Sequence, residues 1–141
     1  MKRWATATWQ GDLKNGQGKI STESGALEDA PYAFTSRFEN GKGTNPEELI
    51  GAAHAGCFAM ALAAALARAG HPATILSARA TVQLDRQGEQ WTITRSELAL
   101  EADVPGIDRT EFDKIAAETK QSCPVSRVLR AEISLDARLA S

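Results

Sequence analysis

The chain has 141 residues, of which 43% are hydrophobic, and its formal net charge of −2 at pH 7 comes from 16 basic and 18 acidic residues. This length and composition suit a single domain over residues 1–141 with one hydrophobic core. Because the sequence has no basic run, it lacks the electrostatic footprint of a nucleic-acid-binding protein. The N-terminal residues also lack the apolar block of a signal peptide, which predicts a cytoplasmic location.

Short strands are predicted in the N-terminal part of the chain. Apolar and polar residues roughly alternate over residues 3–9 and 19–24, and turn-forming glycines lie between the two stretches. This pattern predicts two strands joined by a loop. Residues 32–38 also suggest a strand, which would place Phe34 and Phe38 on one face and Arg37 on the other.

A long apolar helix dominates the middle of the sequence. Asn45 suits its N-cap, Pro46 suits its first position, and Gly70 marks its end. His54 is the only strongly polar residue between residues 49 and 67, so we expect a helix buried on all sides. The helix could just span a bilayer, but alanine and glycine drive insertion weakly, so we expect no membrane association.

The strands of the C-terminal half are the clearest in the sequence. Residues 75–85 and 91–101 are rich in alternating apolar and β-branched residues and flank a polar turn, so they should form an antiparallel pair. Residues 132–139 alternate cleanly and should form the final strand.

Two helices are predicted between the strand pair and the final strand. Asp108 followed by Glu111 resembles a capping box and should begin an amphipathic helix. The Cys123-Pro124 pair should end that helix and begin a short new one. The order of elements indicates an α+β fold with an antiparallel sheet.

Two cysteines, Cys57 and Cys123, are the residues best suited to chemistry. Cys57 could be a small core residue, since burial without a cationic neighbour leaves a thiol unreactive. Cys123 would cap the helix that begins at Pro124, where unpaired N–H groups lower the pKa of a thiol. His54 lies three residues before Cys57 on the same helical face and raises the alternative of a metal site. The sequence has no Cys-x-x-Cys pair or second clustered histidine, so no metal is expected.

Long motifs surround both cysteines: TNPEELIGAAHAGCF at residues 44–58 and SCPVSRVL at residues 122–129. They resemble the paired cysteine motifs of the OsmC/Ohr family of hydroperoxide reductases. STESG at residues 21–25, YAFTSRF at residues 32–38 and VPGID at residues 104–108 are similar to the osmotically inducible branch. The resemblance therefore covers nearly the whole chain.

The resemblance implies a cysteine-based peroxidase of the oxidative and osmotic stress response, which reduces organic hydroperoxides and, less well, hydrogen peroxide. Cys57 corresponds to the attacking cysteine, which becomes a sulfenic acid, and Cys123 to the resolving cysteine, which forms the Cys57–Cys123 disulfide. Arg37, held by Glu47, corresponds to the pair that stabilises the Cys57 thiolate. A lipoyl-type dithiol or a lipoylated protein would regenerate the thiols, and no cofactor, whether metal, haem or flavin, is implied.

The resemblance also implies an intertwined homodimer, with antiparallel sheets wrapped around a long central helix. Glu47 and Cys57 are ten residues apart, which is ~15 Å of rise in a continuous helix. Either the helix is broken near Gly51, or Arg37 and Glu47 reach Cys57 of a second chain. We favour the second chain because it would also cover the apolar helix. We expect an apolar peroxide pocket lined by Phe58, Met60 and Tyr32.

Two other interpretations of the cysteine pair stay open at the level of sequence. A redox or stress sensor, or a small-ligand-binding protein, could use the same fold, and a sensor would oxidise once and stop. The cysteines could also be a purely structural pair of buried thiols, which would form no disulfide with a peroxide.

Overall fold

The computed structural model describes residues 1–140, which form six strands and four helices. The strands are β1 (Ala5–Gln10), β2 (Gln17–Thr22), β3 (Ala30–Tyr32), β4 (Ile75–Gln87), β5 (Gln90–Asp103) and β6 (Glu132–Leu139). The helices are α1 (Phe34–Phe38), α2 (Pro46–Arg68), α3 (Arg109–Ser122) and α4 (Pro124–Val128). The chain divides into two compact units, Met1–Leu49 and the part from Ile50 onward. The single domain over residues 1–141 stays a prediction.

The first unit is built on an antiparallel sheet in the order β1-β2-β3, which confirms the two strands predicted near the N-terminus. Gly18 of β2 pairs with Trp9 of β1 on one side and with Tyr32 of β3 on the other. Because Gly18 has no side chain, the two rings close over it, with their centroids 5.4 Å apart. Aromatic side chains commonly cover a strand glycine in this way.

The prediction of a strand over residues 32–38 is wrong, because most of that stretch is α1. The N–H of Ala33 donates to the hydroxyl of Ser36 at 2.9 Å and stabilises the first turn of this helix. The rings of Phe34 and Phe38 pack together with centroids 4.9 Å apart. Residues four apart share a face in a strand as well as in a helix, so the spacing of these rings fits both structures.

The second unit contains a sheet in the order β4-β5-β6. β4 and β5 pair in antiparallel orientation along their full lengths, which confirms the predicted pair. β6 pairs with β5 in parallel orientation, so the prediction of a wholly antiparallel sheet is wrong. The chain between β5 and β6 passes through α3 and α4, and a helical crossover of this kind returns the chain to the same end of the sheet. The sheet is therefore mixed, within the predicted α+β class.

Helix α2 buries one face and exposes the other. Phe58, Leu62 and Leu66 are fully buried and share a hydrophobic core with residues of β5, such as Leu98. The opposite face carries small residues and one methionine: Ala52, Ala53, Gly56, Met60, Ala63, Ala64 and Ala67. The prediction of burial on all sides is therefore wrong for the single chain, which supplies packing partners for one face of the helix.

Both ends of α2 follow the signals in the sequence. The N–H of Glu48 donates to Oδ1 of Asn45 at 2.8 Å, and such a cap satisfies a backbone group that has no partner within the helix. Gly70 adopts a φ of 87°, and the N–H of His71 donates to the carbonyl of Leu66, as in a Schellman motif. The length and composition of α2 would also let it cross a bilayer, a test that core helices of soluble proteins pass as well.

Candidate active site

Cys57 and Cys123 lie side by side in the second unit. Their Sγ atoms are 3.1 Å apart, and both thiols are free. Because the bond of a disulfide is about 2.05 Å long, the two sulfurs need to approach by only about 1 Å to form one. Cys123 is fully buried, whereas Cys57 is partly exposed. The fold thus joins two residues that are 66 positions apart and leaves Cys57 as the sulfur that a solute can reach.

Cys123 occupies the junction between α3 and α4. Helix α3 begins at its predicted cap, Asp108, and ends where the N–H of Cys123 donates to the carbonyl of Thr119 at 2.9 Å. Pro124 then takes the first position of α4, as predicted. A proline cannot continue the hydrogen bonds of α3, but it suits the first turn of the next helix. The chain therefore changes direction at Cys123 and brings this thiol against Cys57.

The two thiols differ in their electrostatic environment. Burial raises the pKa of Cys57; the N–H of Val125 opposes this effect, and the neighbouring Cys123 adds to it. Burial also acts to raise the pKa of Cys123, but hydrogen bonds outweigh this effect and lower the pKa. They come from the N–H of Ser126, from Cys57, from the hydroxyl of Ser126 and from the N–H of Val125. The described surroundings of Cys57 therefore do not favour its thiolate, and a nucleophilic Cys57 needs a cation nearby.

His54 is fully buried in the same unit and is held by two serines. Its Nδ1 lies 2.7 Å from Oγ of Ser96, and its Nε2 lies 2.8 Å from Oγ of Ser126. Burial lowers the pKa of His54, which favours the neutral ring. Both ring nitrogens are thus engaged by hydroxyl groups rather than free to bind a metal. Residues 1–140 contain no cluster of three or more His, Cys, Asp or Glu side chains that could hold a metal ion.

Arg37 and Glu47 form an ion pair in the first unit. Nε and Nη2 of Arg37 both donate to Oε1 of Glu47, at 3.1 and 2.9 Å. The amide of Asn45 donates to the carbonyl of Ser36 at 3.0 Å and ties α1 to the start of α2. Oε2 of Glu47 is buried and has no hydrogen-bond partner within the described part of the chain. The structure therefore forms the pair that the resemblance implied and leaves one carboxylate oxygen unsatisfied.

An open cavity of about 250 Å³ lies beside Arg37 in the first unit. It is lined by Trp9, Leu13, Tyr32, Ala33, Phe34, Arg37 and Phe38. Tyr32 thus lines an apolar pocket, as expected. Phe58 does not, because its side of α2 faces the core and it is fully buried, and Met60 lies on the exposed face of α2.

Comparison with known proteins identifies the family. The family model described as OsmC-like protein matches residues 39–138. The chain belongs to the OsmC-like family. It is 53% identical over 135 residues to Peroxiredoxin OsmC of Escherichia coli (strain K12), and the match covers 96% of this chain and 94% of that protein. It is also 32% identical over 102 residues to the organic hydroperoxide resistance protein of Xanthomonas axonopodis pv. citri (strain 306), with 71% of this chain and 69% of the relative covered.

Solved structures of the OsmC-like fold resemble the chain at low sequence identity. The OsmC-like protein of Mycoplasma pneumoniae matches with a TM-score of 0.75 at 14% identity and covers 100% of this chain and 99% of its own. The organic hydroperoxide resistance protein OhrB of Bacillus subtilis matches with a TM-score of 0.67 at 20% identity, with 96% and 97% covered. These matches confirm the predicted OsmC-like α+β fold of the single chain.

The sequence of this OsmC-like chain did not reveal the serine partners of His54. Ser126 lies three residues after Cys123, inside the second cysteine motif, and that position could have singled it out. Ser96 lies 42 residues from His54, in β5, and no local signal marks it. Only the packing of α2 in the second unit brings the three side chains together.

Proposed function

We propose that this chain is a cysteine-based peroxidase that reduces organic hydroperoxides to alcohols. The observation that carries the proposal is the 3.1 Å separation between the free thiols of Cys57 and Cys123. The relatives support it, since one is named a peroxiredoxin and another an organic hydroperoxide resistance protein.

The reaction uses the two sulfurs in turn. The thiolate of Cys57 attacks the terminal oxygen of the hydroperoxide, so the O–O bond breaks, an S–O bond forms, and the leaving alkoxide takes up a proton to become an alcohol. The sulfur of Cys123 then attacks the Cys57 sulfenic acid, which forms the disulfide and releases water. An external dithiol of the lipoyl type reduces the disulfide by exchange and leaves as its own cyclic disulfide. This scheme uses no metal, haem or flavin.

Arg37, oriented by Glu47, supplies the cation that Cys57 needs. Helix α2 is unbroken from Pro46 to Arg68, so a break near Gly51 does not bring Glu47 closer to the thiol. Ten residues of continuous helix separate Glu47 from Cys57 by ~15 Å along the axis. This distance supports a site in which Arg37 and Glu47 come from a second chain.

The second chain is a copy of this one that packs on the exposed face of α2. This face is apolar, and its largest residue, Met60, is 78% exposed. A continuous apolar surface of this kind is typical of a protein interface. The buried, unpaired Oε2 of Glu47 also supports a partner, because a buried polar atom without a hydrogen bond destabilises the folded state. The site requires neither nucleic acid nor membrane, and a cytoplasmic location fits its need for reducing thiols.

The cavity beside Arg37 supports organic hydroperoxides as substrates. Its aromatic rings offer apolar surface to a carbon chain, while the guanidinium group can bind the polar peroxide end. Hydrogen peroxide has no carbon chain, so it would gain nothing from the rings and should react less well.

One equivalent of cumene hydroperoxide, added to the reduced protein, tests the proposal. Mass spectrometry should show a Cys57–Cys123 linked peptide, and added dihydrolipoamide should sustain repeated peroxide consumption. Cys57→Ser should consume no peroxide, whereas Cys123→Ser should stop after one oxidation, with Cys57 as a sulfenic or over-oxidised acid. A disulfide without repeated turnover would indicate a redox sensor. No disulfide, together with full activity in Cys57→Ser, would refute the peroxidase.

A further inference from the structure

A buried chain of hydrogen bonds leads from Ser96 through His54 to Ser126, beside Cys123, and has no part in the reaction described above. Ser126 lies in the first turn of the helix that Cys123 caps, where its hydroxyl and N–H lower the pKa of Cys123, and the Ser126 hydroxyl lies 2.8 Å from Nε2 of His54. Nδ1 of His54 lies 2.7 Å from the hydroxyl of Ser96. His54 and Ser96 are fully buried, and Ser126 is 7% exposed. Polar side chains from α2, β5 and α4 thus form a hydrogen-bonded path that ends beside a reactive sulfur.

Packing alone does not explain this path. A buried polar group costs free energy unless it is hydrogen-bonded, and an apolar residue of similar size carries no such cost. Three polar side chains, Ser96, His54 and Ser126, lead in succession toward Cys123. The path ends at the one thiol whose pKa its surroundings lower.

The path can move a proton without moving any heavier atom. A neutral imidazole donates from one nitrogen and accepts at the other. In the reduced protein the thiol of Cys123 donates to Cys57. Once Cys57 is oxidised, the S–H of Cys123 turns to Ser126, Ser126 donates to Nε2 of His54, and Nδ1–H donates to Ser96. If Ser126 takes the proton of Cys123 and passes its own proton to Nε2, Cys123 becomes a thiolate. Both nitrogens of the resulting imidazolium still donate to serines.

We propose that Ser126 is a catalytic residue and His54 a positioning residue of the resolving step, in which the proton of Cys123 leaves through Ser126 to Nε2 of His54. This inference rests on the proposed peroxidase function and says how the second thiol is activated. The S–H bond of Cys123 breaks as its sulfur attacks the sulfur of the Cys57 sulfenic acid. The S–S bond forms, the S–O bond breaks, and the leaving hydroxide takes up one proton to become water. That proton is the one His54 received, which passes back through Ser126 to the hydroxide, so His54 returns to its neutral form, which its burial favours.

Rapid quenching after one equivalent of cumene hydroperoxide, followed by mass spectrometry, measures the two steps in one sample. Oxidation of Cys57 adds one oxygen, and disulfide formation then removes it as water. Ser126→Ala and His54→Gln should slow disulfide formation about 100-fold relative to Cys57 oxidation, the usual scale of a lost general base. Ser126→Thr keeps the hydroxyl and should restore most of the rate.

Ser96→Ala is the matched control, because it also leaves one nitrogen of the buried His54 ring without its hydroxyl partner. A purely structural network predicts that Ser96→Ala and Ser126→Ala act alike. The proton path predicts that Ser126→Ala slows disulfide formation far more, since Ser96 lies on the far side of His54 from the sulfur. Thermal unfolding of each variant reports whether it is folded at the assay temperature. If Ser126→Ala is unfolded there, the comparison of His54→Gln with Ser126→Thr still tests the inference.

Ellman's reagent separates this inference from the peroxidase proposal. The partly exposed Cys57 should react first and release one thionitrobenzoate; Cys123 then attacks the mixed disulfide, loses its proton and releases a second. The second release should be slow in Ser126→Ala and His54→Gln, even if the protein does not reduce peroxides. Equal rates of second release in Ser126→Ala and Ser96→Ala would overturn the inference, whatever the outcome with peroxide.

Discussion

Formation of the Cys57–Cys123 disulfide should stabilise the folded protein by an amount set largely by the length of the loop that it closes. The two cysteines are 66 residues apart, and β4, β5 and α3 lie between them. Closing a loop of this length lowers the entropy of the unfolded chain, which stabilises the folded state by about 4 kcal/mol at 25 °C. Little strain should subtract from this value, because the sulfurs are already 3.1 Å apart in the reduced protein. For a chain of this size, the expected rise in Tm is on the order of 10 °C.

Thermal unfolding followed by circular dichroism measures this effect. The reduced protein and the protein oxidised with one equivalent of hydroperoxide are compared at one protein concentration, since an associating protein has a concentration-dependent Tm. Cys123→Ser is the control, because it should show no rise after the same treatment. An oxidised protein with a confirmed disulfide and a Tm at or below that of the reduced protein would refute the claim that the thiols are placed for unstrained bonding.

Three further changes test other parts of the molecule. Glu47→Gln should slow the oxidation of Cys57, measured by competition for hydroperoxide, because a neutral amide holds Arg37 less strongly. Met60→Glu should weaken dimerisation in sedimentation velocity, because it would bury a charge in the proposed interface. Burial lowers the pKa of His54 from 6.5, so below about pH 6.5 the unfolded chain binds a proton that the folded chain excludes. The free energy of unfolding, measured with urea, should therefore fall as the pH drops below this value, by up to ~1.4 kcal/mol per pH unit.

Each of these changes has its own control. Glu48→Gln is the control for Glu47→Gln, because Glu48 accepts a hydrogen bond from the hydroxyl of Thr44 at 2.7 Å and does not bind Arg37. Equal slowing by both variants would contradict the role of Glu47. Met60→Leu keeps the proposed interface apolar and should stay dimeric, and a dimeric Met60→Glu would exclude this face as the interface. An unchanged pH dependence in His54→Gln would mean that other groups set the slope.

Local signals predicted much of the fold. The caps at Asn45 and Asp108, the glycine at position 70 and the proline after Cys123 all act within a few residues of where they stand. Strict alternation likewise predicted β6 over residues 132–139, the range that the structure has. These elements could be predicted because the interactions that start, stop or pattern them are short in sequence.

Errors occurred where the deciding contact is distant in sequence or where a pattern fits two structures. Phe34 and Phe38 fit a strand and a helix equally well, and the backbone hydrogen bond to Ser36 belongs to the helix. The parallel orientation of β6 follows from the path of the chain through α3 and α4. The burial of α2 depends on which elements pack against it, which composition does not reveal.

By itself, the sequence determined the family, the ends of the long helix and the identity of the two thiols, because these depend on motifs and caps read over short stretches. The resemblance implied the pairing of Cys57 with Cys123 and of Arg37 with Glu47, but tertiary structure alone sets the sulfurs 3.1 Å apart and places two nitrogens of Arg37 on one oxygen of Glu47. It alone also joined His54 to Ser96 and Ser126. These contacts span between 10 and 72 residues. They form only when packing brings separate helices and strands together, so the chemistry of the site depends on the fold as well as on its residues.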